Sequence, residues 1–209
     1  MMDLRVVAFD CDGVMFDTLD ANRHYYNHIL RRFGCPPMDA AQLGFVHSHT
    51  VQEALEHLFA DEAVRQAAHD FRKTIDYRGF LKHLTIEPDL IELLDWMRGK
   101  FHTAIATNRT DTMKHLLREF GLSERFDLVV TSLDVQRPKP FPDPLFKILA
   151  HFRVEPHQAL FVGDSEVDAG TARAAAVPFV AYRNPVLEAR YHINQLKDLQ
   201  AVLGTPHAR

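Results

Sequence analysis

Val6-Val7-Ala8-Phe9-Asp10-Cys11-Asp12-Gly13-Val14 places two carboxylates, one residue apart, directly behind a four-residue apolar run. The run reads as a buried strand. Aspartates are poor strand formers and costly to bury unpaired, so the pair predicts a compensating cation at the strand's exit. Asp-x-Asp-Gly alone equally fits an acidic surface turn. Three later stretches decide between the two.

Working outward, Thr103–Ala106, Leu128–Val130, Leu160–Val162 and Phe179–Ala181 join Val6–Phe9 as five predicted buried parallel strands. Apolar residues at i, i+3, i+4, i+7 mark the helices between them: Leu90, Leu93, Leu94, Met97; Met113, Leu116, Leu117, Phe120; and Leu145, Ile148, Leu149, Phe152. Pro88 and Thr110-Asp111 read as helix starts, Gly99 and Gly121 as stops. Such alternation predicts an α/β protein with a doubly wound parallel sheet.

Between the first two strands the pattern changes. Residues 19–84 read as helical, with Val51, Leu55, Leu58 and Phe59 on one apolar face and Ala63–Tyr77 as a further amphipathic stretch. That exceeds a simple crossover. It is expected to be an all-helical cap (19–84) inserted into an α/β core (1–18 and 85–209), over the sheet edge where ligands bind. One larger α/β domain with extra edge helices is the alternative. The tail after Gly204 is expected to fray.

With 209 residues, 46% of them hydrophobic and 25% charged, the chain has the composition of a soluble globular protein. A net charge of -4 argues against nucleic-acid or anionic-membrane partners. No apolar stretch approaches transmembrane length, and Asp3-Leu4-Arg5 does not open a signal peptide. Cys11 and Cys35 form no disulfide framework, so a reducing cytoplasm is expected. Cys11, between two acids, reads as strand packing rather than as a nucleophile. The 13 histidines show no metal-ligand spacing.

Each later station falls where a strand ends: Thr107-Asn108-Arg109, Arg137-Pro138-Lys139-Pro140 and Gly163-Asp164-Ser165-Glu166-Val167-Asp168. Parallel strands share one C-terminal edge, so these groups are expected to converge with Asp10 and Asp12. Singly, each has an ordinary reading as a helix cap, a loop charge or a turn. Jointly they fit phosphoryl transfer. A phosphate monoester dianion repels nucleophiles until its charge is neutralised. Mg²⁺ prefers oxygen ligands and few carboxylates, which suits Asp10 and Asp164. Asp10 fits a nucleophile giving an aspartyl-phosphate, and Asp12 a proton shuttle. Thr107 and Asn108 offer neutral donors, Lys139 a compact positive charge, and Asp168 a support for that lysine.

These four stations resemble, in order, the four motifs of the haloacid dehalogenase (HAD) superfamily. The core resemblance covers Val6–Asp17 and Pro88–Tyr182, and the placement of the insertion is similar to the helical cap of the phosphoglycolate phosphatase-like branch. The resemblance implies Asp10 as nucleophile and Asp12 as general acid/base, also lending Mg²⁺ its backbone carbonyl. It further implies Thr107, Asn108 and Lys139 at the phosphate, Asp164 at the metal and Asp168 behind Lys139. The expected function is a cytoplasmic Mg²⁺-dependent phosphatase of a small phosphorylated metabolite.

The chain also departs from its relatives in places. Dehalogenases lack the second aspartate, so Asp12 favours phosphoryl chemistry. Phosphonoacetaldehyde hydrolase-like members need a cap lysine, for which only Lys73 and Lys82 are present, both in ordinary helical contexts. Mutase-like members carry a cap histidine where Asn22 stands and an arginine in a segment like Gly44–Thr50, which contains none. Pro138 and Ala176 stand where glycine is usual. Cap candidates for substrate contact are His47 and His49, read as a loop between helices that either faces the pocket or is exposed, and Arg23 and His24 near the hinge. Arg109 is expected either to add charge at the phosphate or to pair with a surface acid. A sugar-phosphate mutase, a receiver-like phosphoacceptor module and a silent binding protein are the alternatives. The phosphate ester and the oligomeric state stay open.

Overall fold

The computed structural model describes residues 3–204, so the expected fraying after Gly204 lies outside the described residues. Strand β1 (Val6–Phe9) leads through a tight turn into the short β2 (Phe16–Asp17). Four helices follow: α1 (Leu19–Arg32), α2 (Ala40–Ser48), α3 (Val51–Leu58) and α4 (Glu62–Arg72). A 3₁₀ segment, Tyr77–His83, brings the chain back to β3 (Thr85–Ile86), which pairs antiparallel with β2. That two-stranded ribbon is where the helical insertion leaves and rejoins the remainder.

The chain then alternates: α5 (Leu90–Met97), β4 (His102–Ala106), α6 (Thr112–Glu119), β5 (Leu128–Val130), α7 (Asp143–Phe152), β6 (Ala159–Gly163), α8 (Glu166–Ala174) and β7 (Phe179–Tyr182). A short β8 (Tyr191–Ile193) and α9 (Leu199–Leu203) close the fold. The sheet is parallel throughout, in the order β5-β4-β1-β6-β7-β8. It has six strands, not the five expected. Three residues at an edge, with His192 exposed, carry too little apolar pattern to announce β8.

The period of two along β1 builds two cores. Val7 and Phe9 face the layer of α5 and α6, through Leu90, Leu94, Met113 and Leu117. Val6 and Ala8 face α7 and α8, through Leu145, Ile148, Ala169 and Ala172. The first core runs on without a break into the insertion, reaching Tyr25, Ile29, Val46 and Leu55. Sequence order departs from β1 in both directions, towards β4 and β5 on one side and β6 to β8 on the other. The C-terminal edge of β1 is therefore the switch point, the usual ligand crevice of such sheets.

Inside the insertion, helix ends are well specified. Asp39 with Gln42 and Thr50 with Glu53 form reciprocal capping boxes at α2 and α3. Two sequence expectations need correcting here. His47-Ser48-His49 is not a loop: α2 runs through Ser48, with His49 as its C-cap and Thr50 already capping α3. The amphipathic stretch expected to reach Tyr77 ends as a helix at Arg72. No described helix is long and apolar enough to cross a membrane.

Candidate active site

The turn after β1 is built by backbone hydrogen bonds from Met15 N and Phe16 N to the Cys11 carbonyl and from Gly13 N to the Phe16 carbonyl. Asp10 N donates to Val162 O at 2.9 Å, which fixes the first carboxylate beside the end of β6. Gly13 adopts φ 82°, and a Cβ there would stand 2.1 Å from Asp164 Oδ2. At the end of β6, a Cβ on Gly163 would stand 2.4 Å from Asp168 Cβ. Both glycines are needed for the approach of acidic side chains, not only for turn geometry. Asn184 Nδ2 donates to the Asp164 carbonyl at 2.8 Å and steadies that loop.

Ser165 caps α8 reciprocally with Asp168: Ser165 Oγ donates to Asp168 Oδ2 at 2.6 Å and accepts from Asp168 N. The other oxygen of Asp168 accepts from Lys139 Nζ at 2.6 Å, and the same ammonium reaches Asp10 Oδ1 at 2.7 Å. Lys139 thus sits buried between two acids, with Asp168 at 0% exposure. Burial would lower the lysine's pKa, but Asp10 and Asp168 more than offset this and raise it.

Asp10, Asp164 and Asp168 offer carboxylate oxygens that all lie within 4.8 Å of one another. Burial, with Asp168 adding to it, pushes Asp10 well up despite Lys139. Burial and then Asp168 likewise push Asp164 up to about 7. One lysine does not balance this acidic cluster. Because Asp168 spends both oxygens on Lys139 and Ser165, Asp10 and Asp164 are the acids left for a hard divalent cation. The donor set fits such an ion.

Asp12 is engaged differently. Arg109 Nε donates to its Oδ2 at 2.8 Å and Nη2 to its Oδ1 at 2.6 Å, a bidentate pair. Burial alone would raise Asp12, yet the charge and hydrogen bonds of Arg109 outweigh it and hold the carboxyl low. Arg109 Nη1 also donates to Tyr77 Oη at 2.9 Å, tying the core to the insertion. The expected partner was a surface acid or the phosphate. The partner found is the second aspartate of the opening pair, and both side chains are largely buried.

Thr107 N donates to Val130 O, and Thr107 Oγ1 accepts from Arg109 N. Asn108 exchanges hydrogen bonds with the Lys139 backbone, donating to its carbonyl at 3.0 Å and accepting from its N–H at 3.1 Å. Its Nδ2 also approaches the Ser48 carbonyl of α2 at 3.4 Å. Asn108 is thus a brace for the lysine loop, a part its sequence position did not announce. Neither residue caps α6, which starts beyond Asp111. Cys11 is buried with a thiol pushed well up by burial and then Asp12, as expected of a packing residue.

Asp10, Asp12, Thr107, Asn108, Arg109 and Lys139 line one cleft. From the insertion, His47 and His49 line it too, with His47 Nδ1 3.1 Å from Asn22 Nδ2 and His49 stacked on Phe45. Arg23 and His24 do not. They lie on a separate groove, where His24 stacks on His83 at 3.8 Å. The helix period explains the miss: Asn22, Tyr25 and Tyr26 of α1 share the cleft-facing side, and residues 23 and 24 turn away from it. Tyr25, Tyr26, Tyr77 and Arg72 are cleft residues that sequence reading did not single out. For Tyr25 and Tyr26 the signal was the spacing from Asn22 on α1, for Arg72 a place in the last turn of an amphipathic helix, and Tyr77 carried none.

A family model described as haloacid dehalogenase-like hydrolase matches residues 7–182. A HAD-superfamily hydrolase of subfamily IA, variant 1, from Geobacter sulfurreducens is 38% identical and superposes with a TM-score of 0.79, covering 97% of this chain and 98% of its own. A phosphoglycolate phosphatase of Nitrosospira multiformis is 27% identical over 83% of this chain and 81% of its own. Pyrophosphatase PpaX of Bacillus thuringiensis is 28% identical over 97% and 98%. A β-phosphoglucomutase of Clostridium difficile, at 16% identity, shares the fold with a TM-score of 0.82, over 95% of this chain and 96% of its own.

Proposed function

Because the chain belongs to the haloacid dehalogenase-like hydrolase family, we propose that it is a phosphatase of a small phosphorylated metabolite, with Asp10 as the nucleophile. The observation that carries this reading is the pair of acids in one turn with opposite surroundings. Asp10 lies beside Lys139 and Asp164, and Asp12 is clasped by Arg109. Burial among acids raises Asp10, a shift that a bound cation would reverse to free the ionised nucleophile, and Arg109 holds Asp12 in the ionised form that serves as the base of the hydrolysis step.

Asp10 attacks phosphorus as the carboxylate, the ester oxygen leaves with the proton that Asp12 took from water in the preceding turnover, and an aspartyl-phosphate forms. Asp12 then takes a proton from the water that hydrolyses it, regenerating both acids and releasing phosphate. The ionised form that Arg109 favours is the one the second step needs. Thr107 Oγ1 and Lys139 Nζ face the transferred phosphoryl group. Asn108 holds the lysine loop in place, and Asp168 keeps the ammonium aimed at Asp10. Asp10, Asp164 and the Asp12 carbonyl would hold Mg²⁺. When bound, that ion neutralises phosphate charge during attack.

We assign residues 19–84 as the cap and 1–18 with 85–209 as the core, divided at the β2–β3 ribbon. The cap's His47, His49, Tyr25 and Tyr77 complete the cleft and reduce its access to water. The names of two relatives, a phosphoglycolate phosphatase and a pyrophosphatase, support small phosphorylated substrates. The test measures phosphate release from a panel of esters, with Mg²⁺ or with EDTA, for wild type and Asp10→Asn. Release is expected only from wild type with Mg²⁺. Activity surviving both EDTA and the substitution would sink the mechanism, and isomerised phosphosugar in place of free phosphate would identify a mutase.

A further inference from the structure

Three strong cations line the cleft, and two of them are already committed. Lys139 holds Asp10 and Asp168, and Arg109 holds both oxygens of Asp12. The third is Arg72, the last residue of α4, whose side chain is only 10% exposed. Its Nε is buried with no hydrogen-bond acceptor among the described residues. Its nearest carboxylate is Asp111, 3.6 Å from Nη1, too far for a hydrogen bond and itself mostly exposed. A buried guanidinium with an unused N–H is costly unless a ligand supplies the missing acceptor.

Arg72 shares the cleft with the neutral Tyr25 and Tyr77, and with them it also lines an adjoining groove that carries Asp76 and Asp111. The planar fork of a guanidinium matches a carboxylate or a phosphate, both of which fill two donors at once. We propose that Arg72 is a specificity-determining residue that binds a second anionic group of the substrate, a carboxylate or a further phosphate, while the transferred phosphate lies at Asp10. This deepens the phosphatase reading and rests on it. The substrate is then a short molecule with an anion at each end. An ester with a neutral tail leaves the Arg72 N–H unpaired and binds more weakly.

The test is equilibrium binding by calorimetry, with Mg²⁺, to the full chain carrying Asp10→Asn, so that nothing is turned over. The probes are 2-phosphoglycolate (carboxylate), pyrophosphate (second phosphate) and ethyl phosphate (neutral tail). At least one of the first two is expected to bind 10-fold or more tighter than ethyl phosphate, and which one does so identifies the anion. Adding Arg72→Met is expected to bring that ratio close to one, and Arg72→Lys to recover part of it. Asp111→Asn, which removes the acid paired with Arg72 at 3.6 Å, is expected to keep the ratio. A ratio of affinities within one protein does not depend on how much of the sample is folded. The proposal is overturned if the parent shows no preference, or if Arg72→Met leaves the ratio intact. It is also overturned if Asp111→Asn abolishes the ratio as Arg72→Met does, since Arg72 would then be a strut between cap and core. Failure of the phosphatase reading is seen separately, as absence of phosphate release by wild type.

Discussion

Arg109 holds both carboxylate oxygens of Asp12, at 2.8 and 2.6 Å, across 97 residues of sequence. The same guanidinium donates to Tyr77, the first residue of the segment that closes the insertion. One side chain therefore fixes the proposed proton carrier and ties the sheet edge to the proposed cap. Position 109 directly follows the proposed phosphate-binding pair, yet its charge is spent on an acid of the site rather than on the phosphate.

Replacing Arg109 with Met leaves the Asp12 carboxylate, only 14% exposed, without its cation. A loss of about 3–5 kcal/mol at pH 7 is expected for a broken buried pair. The pH dependence has a definite sign. Asp12 is held below its ordinary value in the folded protein. Its pairing therefore stabilises fully above an unfolded pKa of about 3.9 and is lost as pH falls through the lower folded value. Thermal unfolding should show a gap between wild type and Arg109→Met that is large at pH 7.5, persists to about pH 4 and narrows below it. A gap independent of pH would show that Asp12 is not its source.

Asp164 titrates the other way. Burial and Asp168 raise it to about 7 in the metal-free protein. A raised carboxyl contributes stability below its unfolded pKa and loses it as pH climbs through the folded one, here from roughly 4 to about 7. Asp164→Asn removes that ionisation. In EDTA it should raise the melting temperature at pH 8 by several degrees and change it little near pH 3.5. Mg²⁺ should stabilise wild type at pH 8 and have much less effect on the variant. An equal response to Mg²⁺ in both proteins would remove Asp164 from the metal site.

What the sequence disclosed depended on where each residue falls in a strand. Asp10, Thr107, Lys139 and Asp164 follow apolar runs in a parallel sheet, so chain order alone predicted their meeting. Arg109 was visible but its partner was not, because nothing local relates it to Asp12. The expected loop at His47 and His49 is a helix end instead: α2 runs on past Gly44, a poor helix former, and only His49 separates it from the Thr50 cap of α3. Arg23 and His24 were placed near substrate by their distance along the chain from the hinge. The angular position of Asn22, Tyr25 and Tyr26 on α1 was the better guide. Arg72 stayed hidden because its significance is a missing acceptor, a property of the packed structure that no sequence window contains.

Ala176 offers a gain in stability. It follows α8 with φ 56°, in the left-handed region that favours glycine. A non-glycine residue there costs roughly 1–2 kcal/mol, which glycine avoids while adding freedom to the unfolded chain worth about 0.4–1 kcal/mol. Ala176→Gly is therefore expected to stabilise the protein by about 0.5–1 kcal/mol. Denaturant unfolding should register a higher midpoint with an unchanged slope. A lower midpoint would mean that the methyl group contributes packing that outweighs the backbone strain.

Gly13 and Gly34 have similar backbone angles, φ 82° and 70°, and different surroundings. A Cβ at Gly34 meets nothing within 4 Å, so Gly34→Ala carries only the left-handed strain, of the order of 1–2 kcal/mol, and should leave activity intact. A Cβ at Gly13 would lie 2.1 Å from Asp164 Oδ2 and 2.6 Å from Asp164 Cγ. Gly13→Ala must therefore move either the turn that carries Asp10 and Asp12 or the carboxylate opposite. Either way, a single methyl group would pull apart the two halves of the proposed metal site. The expected result is a phosphate-release rate at least 100-fold below wild type and a weakened thermal response to Mg²⁺, whereas Gly34→Ala keeps both. Because the two variants share the backbone penalty, the difference between them isolates the close approach of Asp164. Equal behaviour would mean that this contact does not organise the site.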